Sequence, residues 1–227
     1  MFRVFRIILF LIFIIFPFSI NAHVQHYEDL NRIEFDICRN NKHIGTHIFS
    51  FKKSEGQLAI ESEINFEIKK IGIVFYSYHV KGTEIYNAGK LIKFNSKTNQ
   101  NGKHKYANLK LEDEEYTIDG SSYKGKVLED YLLGTWWNHS IVKANAQISA
   151  VSGRVIKQKV TFLGRETIKF GDKSYNTLHY NFSSTDKKLD KDKKLNTDVW
   201  YDEKTLNWVK ASFNKKGKWE YKLLSIK

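Results

Sequence analysis

The chain has 227 residues, 37 Lys and Arg against 25 Asp and Glu, a formal charge of +12, one cysteine and one proline. One cysteine excludes a disulfide-stapled scaffold, and the length allows a sizeable core without one. The excess charge is almost all lysine, with only Arg32, Arg39, Arg154 and Arg165 beyond the first segment; base and phosphate readers favour the planar arginine fork, so no nucleic-acid partner is expected.

The first segment, MFRVFRIILFLIFIIFPFSINA, has Arg3 and Arg6, an apolar run over 7–16, Pro17 and a small residue at Ala22. That pattern is an export leader over residues 1–22. The apolar run is short for a spanning helix, which needs roughly 20 residues. The reading is therefore a periplasmic or secreted protein with no transmembrane segment after cleavage. Residues 23–227 are read as one domain, since no Pro-rich linker divides them.

Period two then dominates. In RIEFDIC, Ile33, Phe35 and Ile37 share a face, and in QLAIESEINFEIKK so do Leu58, Ile60, Ile64, Phe66 and Ile68. VFYSYHV places Val74, Tyr76, Tyr78 and Val80 together. These are strands with one buried and one wet face. Asn40-Asn41, Glu55-Gly56, Ala88-Gly89, Asn101-Gly102, Asp119-Gly120, Gly171-Asp172 and Lys216-Gly217 are turn pairs between them. Their spacing predicts about ten antiparallel strands in a single half-barrel or open barrel. Over 128–142, Leu128, Tyr131, Leu132 and Thr135 have helical spacing, with Gly134 as a stop. This predicts one short helix at the mouth, plugging the sheet. STDKKLDKDKKLNT mixes charges without a period and reads as an exposed loop.

Near the C-terminus, Asp198–Asp202 and Asn207–Phe213 are predicted to pair through a turn at Glu203–Leu206, with KWEYKLLSI alongside. Trp208 shares its face with Lys210 and Ser212, so it is expected to be partly exposed, with Phe213 in the core. Trp200 and Tyr201 point to opposite faces, and Asp202 is placed to accept from turn N–H groups.

No stretch dictates chemistry. Gly-x-Ser-x-Gly and His-Glu-x-x-His are absent, and Cys38 lies in a strand pattern. Cleavage after Ala22 would give His23 an amine and an imidazole for copper, but chance gives the same picture, so neither metal nor cofactor is expected. Candidate ligand-facing residues are Tyr76, Tyr78, Glu84, Trp136, His139, Trp200 and Tyr201, each also readable as sheet packing or, for Glu84, as a solvent-facing strand residue. Trp136 and Trp137 cannot both be buried on one face, so one either lines a cavity or sits at a lipid–water boundary, the alternative being one in the core and one on the surface.

The order of IGTHIFSF (44–51), VFYSYHVKGTEIYNAGKL (74–91), LLGTWWN (132–138) and DVWYDEKTLNWVKASF (198–213) resembles an exported bacterial family of unknown function. Its hallmarks are an early Ile-Gly, a Tyr-rich strand leading to Glu and Gly-x-Leu, and a late Trp-Tyr-Asp. The wider group resembles half-barrels of the lipoprotein-carrier type. The resemblance implies a curved sheet holding a lipid or acyl chain in its concave face, without enzymatic chemistry, and it brings no catalytic residues. Two other classes stay open: a small enzyme using Glu84, His139 or Asp202, which needs at least two of them in one pocket, and an interaction module with an envelope protein partner.

Overall fold

The computed structural model describes residue 27 and residues 29–54, 56–190 and 193–227; the leader lies outside the described residues. Fifteen strands form one sheet. They are β1 (Arg32–Arg39), β2 (Lys42–Ser54), β3 (Gln57–Lys70), β4 (Ile73–Asn87), β5 (Lys90–Gln100), β6 (Lys103–Glu112), β7 (Glu115–Gly120), β8 (Lys124–Leu128), β9 (Leu132–Leu133), β10 (Ala146–Ile148), β11 (Val155–Phe170), β12 (Lys173–Ser184), β13 (Asn196–Asp202), β14 (Trp208–Asn214) and β15 (Lys218–Ile226).

The sheet order is β8 to β1 and then β15 down to β9. Read as a ring, every strand neighbours its neighbour in sequence, β15 pairs with β1, and the one break falls between β8 and β9. Loops bridge that break. Ser122 N–H donates to the Ser152 carbonyl at 2.9 Å. Gly120 permits the approach, since a Cβ there would lie 2.5 Å from the same oxygen. An edge that would otherwise stay open is covered.

The all-β reading holds, but the sheet has fifteen strands where the turn pairs predict about ten. Turns at Ile71-Gly72 and Asp113-Glu114 lack the expected chemistry at one or both positions, and β8, β9 and β10 are too short for a period to show. Asp119-Gly120 ends β7 rather than forming a turn.

The short helix is a second correction. Among the described residues no α-helix forms over 128–142. β8 ends at Leu128, β9 takes Leu132–Leu133, and a 3-10 turn spans His139–Lys143 with the Asn138 side chain accepting from Ser140 N–H. β9 and β10 pair in parallel, and the crossover between them passes through the barrel interior as a plug. Trp137 fixes its depth. This side chain is fully buried, with ring contacts to Phe51 on β2 and Tyr86 on β4.

The closing hairpin pairs as expected, β13 with β14 and β14 with β15, but the order of burial of Trp208 and Phe213 is reversed. Trp208 is fully buried while Phe213 is half-buried. The cause is a bulge: Trp200 faces Lys210 but Tyr201 faces Trp208, leaving Val209 as the extra residue. One inserted residue moves Trp208 onto the inner face beside Tyr201.

Candidate functional site

The inner face has three levels, set by the register of β4 with its neighbours. At the base, Glu84 is hidden completely. Tyr86 donates its hydroxyl to Glu84 Oε2 at 2.7 Å, and Trp137 Nε1 donates to both carboxylate oxygens at 3.0 and 3.1 Å. Burial pushes the Glu84 carboxyl up to about 7, against the pull of the Tyr86, Trp137 and Thr135 hydrogen bonds. Tyr27 stacks edge-on to Trp137 at 5.1 Å and donates to the Leu206 carbonyl at 2.9 Å. Glu84 is thus neither solvent-facing nor free for a ligand; it ties the plug to the sheet. Its pairing with Trp137 escaped the sequence reading, because 53 residues separate the two.

The middle level is aromatic and holds polar nitrogens without partners. Trp208 packs against Phe35 at 4.0 Å, Tyr221 at 5.6 Å, Trp136 at 5.7 Å and His47 at 5.8 Å. Burial lowers the proton affinity of His47 to about 3, so its ring is neutral. Among the described residues, His47 Nδ1, Trp136 Nε1 and Trp208 Nε1 are buried without a hydrogen-bond partner. Trp136 also holds φ 62, a left-handed conformation that costs a non-glycine residue about 1–3 kcal/mol. Its carbonyl accepts from Tyr201 Oη at 2.9 Å. His139 stands edge-on to Tyr201 at 4.8 Å, on that wall of the barrel.

The upper level is the mouth. Phe66 stacks on Tyr78 at 4.9 Å and on Tyr76 at 6.1 Å, and meets Trp219 edge-on at 5.3 Å. Trp219 stacks on Phe213 at 5.8 Å. Tyr76, Tyr78, Phe213 and Trp219 are all half-buried, so the aromatic lining grades from closed to open along β4. The Tyr76 hydroxyl accepts from Gln100 at 2.8 Å. His47, Phe66, Trp208 and Trp219 were not anticipated. The alternation of β3 put Phe66 on the inner face, but nothing local marks its neighbours.

Trp200 belongs to none of these levels. On the outer face it stacks on His179 at 4.1 Å, takes the Lys210 ammonium over its ring at 4.6 Å and donates Nε1 to Glu166. It is a satisfied surface clasp. Asp202 accepts from Thr205 N–H and hydroxyl at 2.9 and 2.8 Å, as a turn residue does. No hydrogen bond or ion pair joins any two of Glu84, His139 and Asp202. Among the described residues no group of three His, Cys, Asp or Glu is placed to hold a metal ion, and no helix is long and apolar enough to cross a membrane.

The fold and interior together define a β-barrel-like protein of one nearly closed sheet with an internal plug. Residues 35–224 match the family described as "Domain of unknown function (DUF6134)", and the chain belongs to that family. A solved structure with the same architecture is a β-barrel-like protein of "Domain of Unknown Function DUF1849" from Brucella abortus. It is 11% identical, with a TM-score of 0.60 over 86% of this chain and 95% of that one. No curated protein matches. The two matches bear out an unknown-function family and a barrel-like fold.

Proposed function

We propose that the protein is an exported binder of an amphipathic, largely apolar molecule, a lipid or acyl chain, held between the middle level and the mouth. The observation that supports it best is the set of unpartnered ring nitrogens at His47, Trp136 and Trp208 beneath a half-open aromatic mouth. Buried donors are ordinarily paired, and two indole N–H groups can only donate. A ligand with an apolar body and one acceptor, such as a carbonyl or hydroxyl, satisfies them while its chain lies along Phe66, Tyr78 and Trp219. Tyr76, Tyr78 and Trp136 are the ligand-facing residues in this reading. Glu84, His139 and Tyr201 set the plug or the barrel wall, and Trp200 has no part. The resemblance of the sequence to lipoprotein-carrier half-barrels and the export leader read over 1–22 are expectations in line with this role in a cell envelope. An enzyme built on Glu84, His139 and Asp202 is not favoured, because Glu84 is occupied by Tyr86 and Trp137 and Asp202 by Thr205.

Native mass spectrometry of the protein purified without detergent tests the reading. The expected result is a bound species of lipid mass, reduced when Tyr78 and Trp136 are each replaced by Ala. A protein that stays at its bare mass after incubation with fatty acids and phospholipids contradicts it.

A further inference from the structure

The topology places the turns β1–β2, β3–β4, β5–β6 and β14–β15, together with the β7–β8 and β12–β13 connections, at one end of the barrel, the end of the mouth. Alternate turns of an antiparallel meander share an end, and direct bonds confirm the neighbourhood. Asn40 N–H donates to the Lys218 carbonyl at 2.8 Å, and Asn101 N–H to the Ser77 carbonyl at 2.8 Å.

We propose that this end is a docking surface for an anionic lipid bilayer, with the β3–β4 turn as the inserted tip. The proposal stands apart from the interior ligand: it concerns the outside of the rim and holds whether or not the barrel binds a lipid. Two observations support it independently.

The first is an apolar tip that folding does not require. Ile71 is 92% exposed, Ile73 64% and Phe75 60%. The turn needs positive φ at both central residues, and has 51° at Ile71 and 75° at Gly72. The other two-residue turns at this end meet the same demand with Asn40-Asn41 and Asn101-Gly102, residues that tolerate that conformation. A β-branched side chain does not. Isoleucine at 71 therefore opposes local folding chemistry and is wholly exposed, which points to a contact outside the chain.

The second is charge. In the β1–β2, β3–β4, β5–β6 and β14–β15 turns and the two residues on either side there are lysines, Arg39 and no Asp or Glu. Among the described residues, the β12–β13 connection brings Asp186 and Asp190 but also Lys187, Lys188, Lys193 and Lys194, and Asp119 beside β7–β8 is paired with Lys124, so lysine stays in excess at this end. Lys42, Lys70, Lys103 and Lys216 are exposed on successive turns. The turns at the opposite end include Asp113-Glu114, Asp172 and Asp202-Glu203. A protein so divided turns its lysine end to an anionic surface, where each lysine adds attraction within a Debye length. Apolar residues ringed by lysines are the composition of an interfacial anchor, and an apolar tip alone would not distinguish lipid from protein.

Flotation with vesicles tests it, using the protein as the cell processes it and variants with the same N-terminus. Wild type is expected to float with vesicles containing phosphatidylglycerol, to float poorly with phosphatidylcholine alone, and to lose binding as salt rises. Ile71→Asn with Phe75→Ser should lower apparent affinity about tenfold or more, the scale of removing exposed apolar side chains from lipid. Ile71→Asn alone suits the turn, so this variant should unfold no more readily than wild type. Lys42→Glu with Lys103→Glu should weaken binding to anionic vesicles only. Equal flotation of wild type and the tip variants overturns the proposal. So does a wild-type dimer in sedimentation that Ile71→Asn dissociates, which would make the tip a contact between copies of this chain.

Discussion

Glu84 and His47 are hidden in the same barrel, and their protonation acts on stability in opposite directions. Glu84 is protonated in both folded and unfolded chains below pH 4.5, and in the folded chain up to about 7. Between those values the folded state holds the extra proton, so stability falls as pH rises, by about 3 kcal/mol in all. His47 resists protonation down to about 3, while the unfolded ring takes a proton below 6.5. Its contribution is therefore full above pH 6.5 and lost as pH falls towards 3, on the order of 5 kcal/mol. From pH 4.5 to 6.5 the two slopes offset each other. Glu84→Gln should leave the His47 slope alone, so that urea stability climbs with pH across this window. His47→Phe should leave the Glu84 slope, and stability should decline. A Glu84→Gln protein with the wild-type pH trend would show that the carboxyl is ionised throughout. Trp137→Phe removes the indole donor from the same carboxyl. It should cost about 1–3 kcal/mol, and more at pH 8 than at pH 5, because an ionised acceptor loses more than a neutral one.

At the scale of the element, the β13–β14 hairpin shows how far alternation can be read. Trp200 and Tyr201 fall on opposite faces as the pattern requires, and the strands pair with the expected partners. Only the bulge at Val209 was invisible, and that single residue brings Trp208 onto the inner face, where it lies deeper than Phe213 at the mouth. Trp208→Ala should therefore cost about 3–5 kcal/mol, as for a buried aromatic. Phe213→Ala, at the half-open mouth, should cost about 1–2 kcal/mol. Chemical unfolding of both variants checks the order, and a larger loss at Phe213 would mean the bulge is misplaced. The plug taught a similar lesson. Leu128, Tyr131, Leu132 and Thr135 imitate a helical face, but Trp137 and His139 are drawn to opposite walls of the barrel and Leu132–Leu133 pairs in a strand. Tertiary contacts overrode a weak local period.

Across the whole molecule, the curved antiparallel sheet was legible because nearly every long strand alternates and most turns use Asn or Gly. The ring order was not, since β1 meets β15 across the full length of the chain, and no local pattern encodes that pairing. The candidate site was legible in part for the same reason. Tyr76 and Tyr78 follow from the alternation of β4, whereas His47, Trp208 and Trp219 join them only once the sheet closes. The result is a barrel whose base is tied by Glu84 and Trp137, whose middle holds ring nitrogens of His47, Trp136 and Trp208 without a partner among the described residues, and whose mouth is aromatic and half-open.

Bromine on an acyl chain quenches indole fluorescence only at short range, and the tryptophans stand at different levels. Trp136, Trp208 and Trp219 line the middle and mouth, Trp137 lies in the base, and Trp200 is outside. A brominated fatty acid should quench the wild-type protein saturably. Trp200→Phe should leave the quenched fraction unchanged or larger, and Trp136→Phe combined with Trp219→Phe should remove most of it. No saturable quenching, or quenching that disappears with Trp200 alone, would contradict a ligand held in the interior.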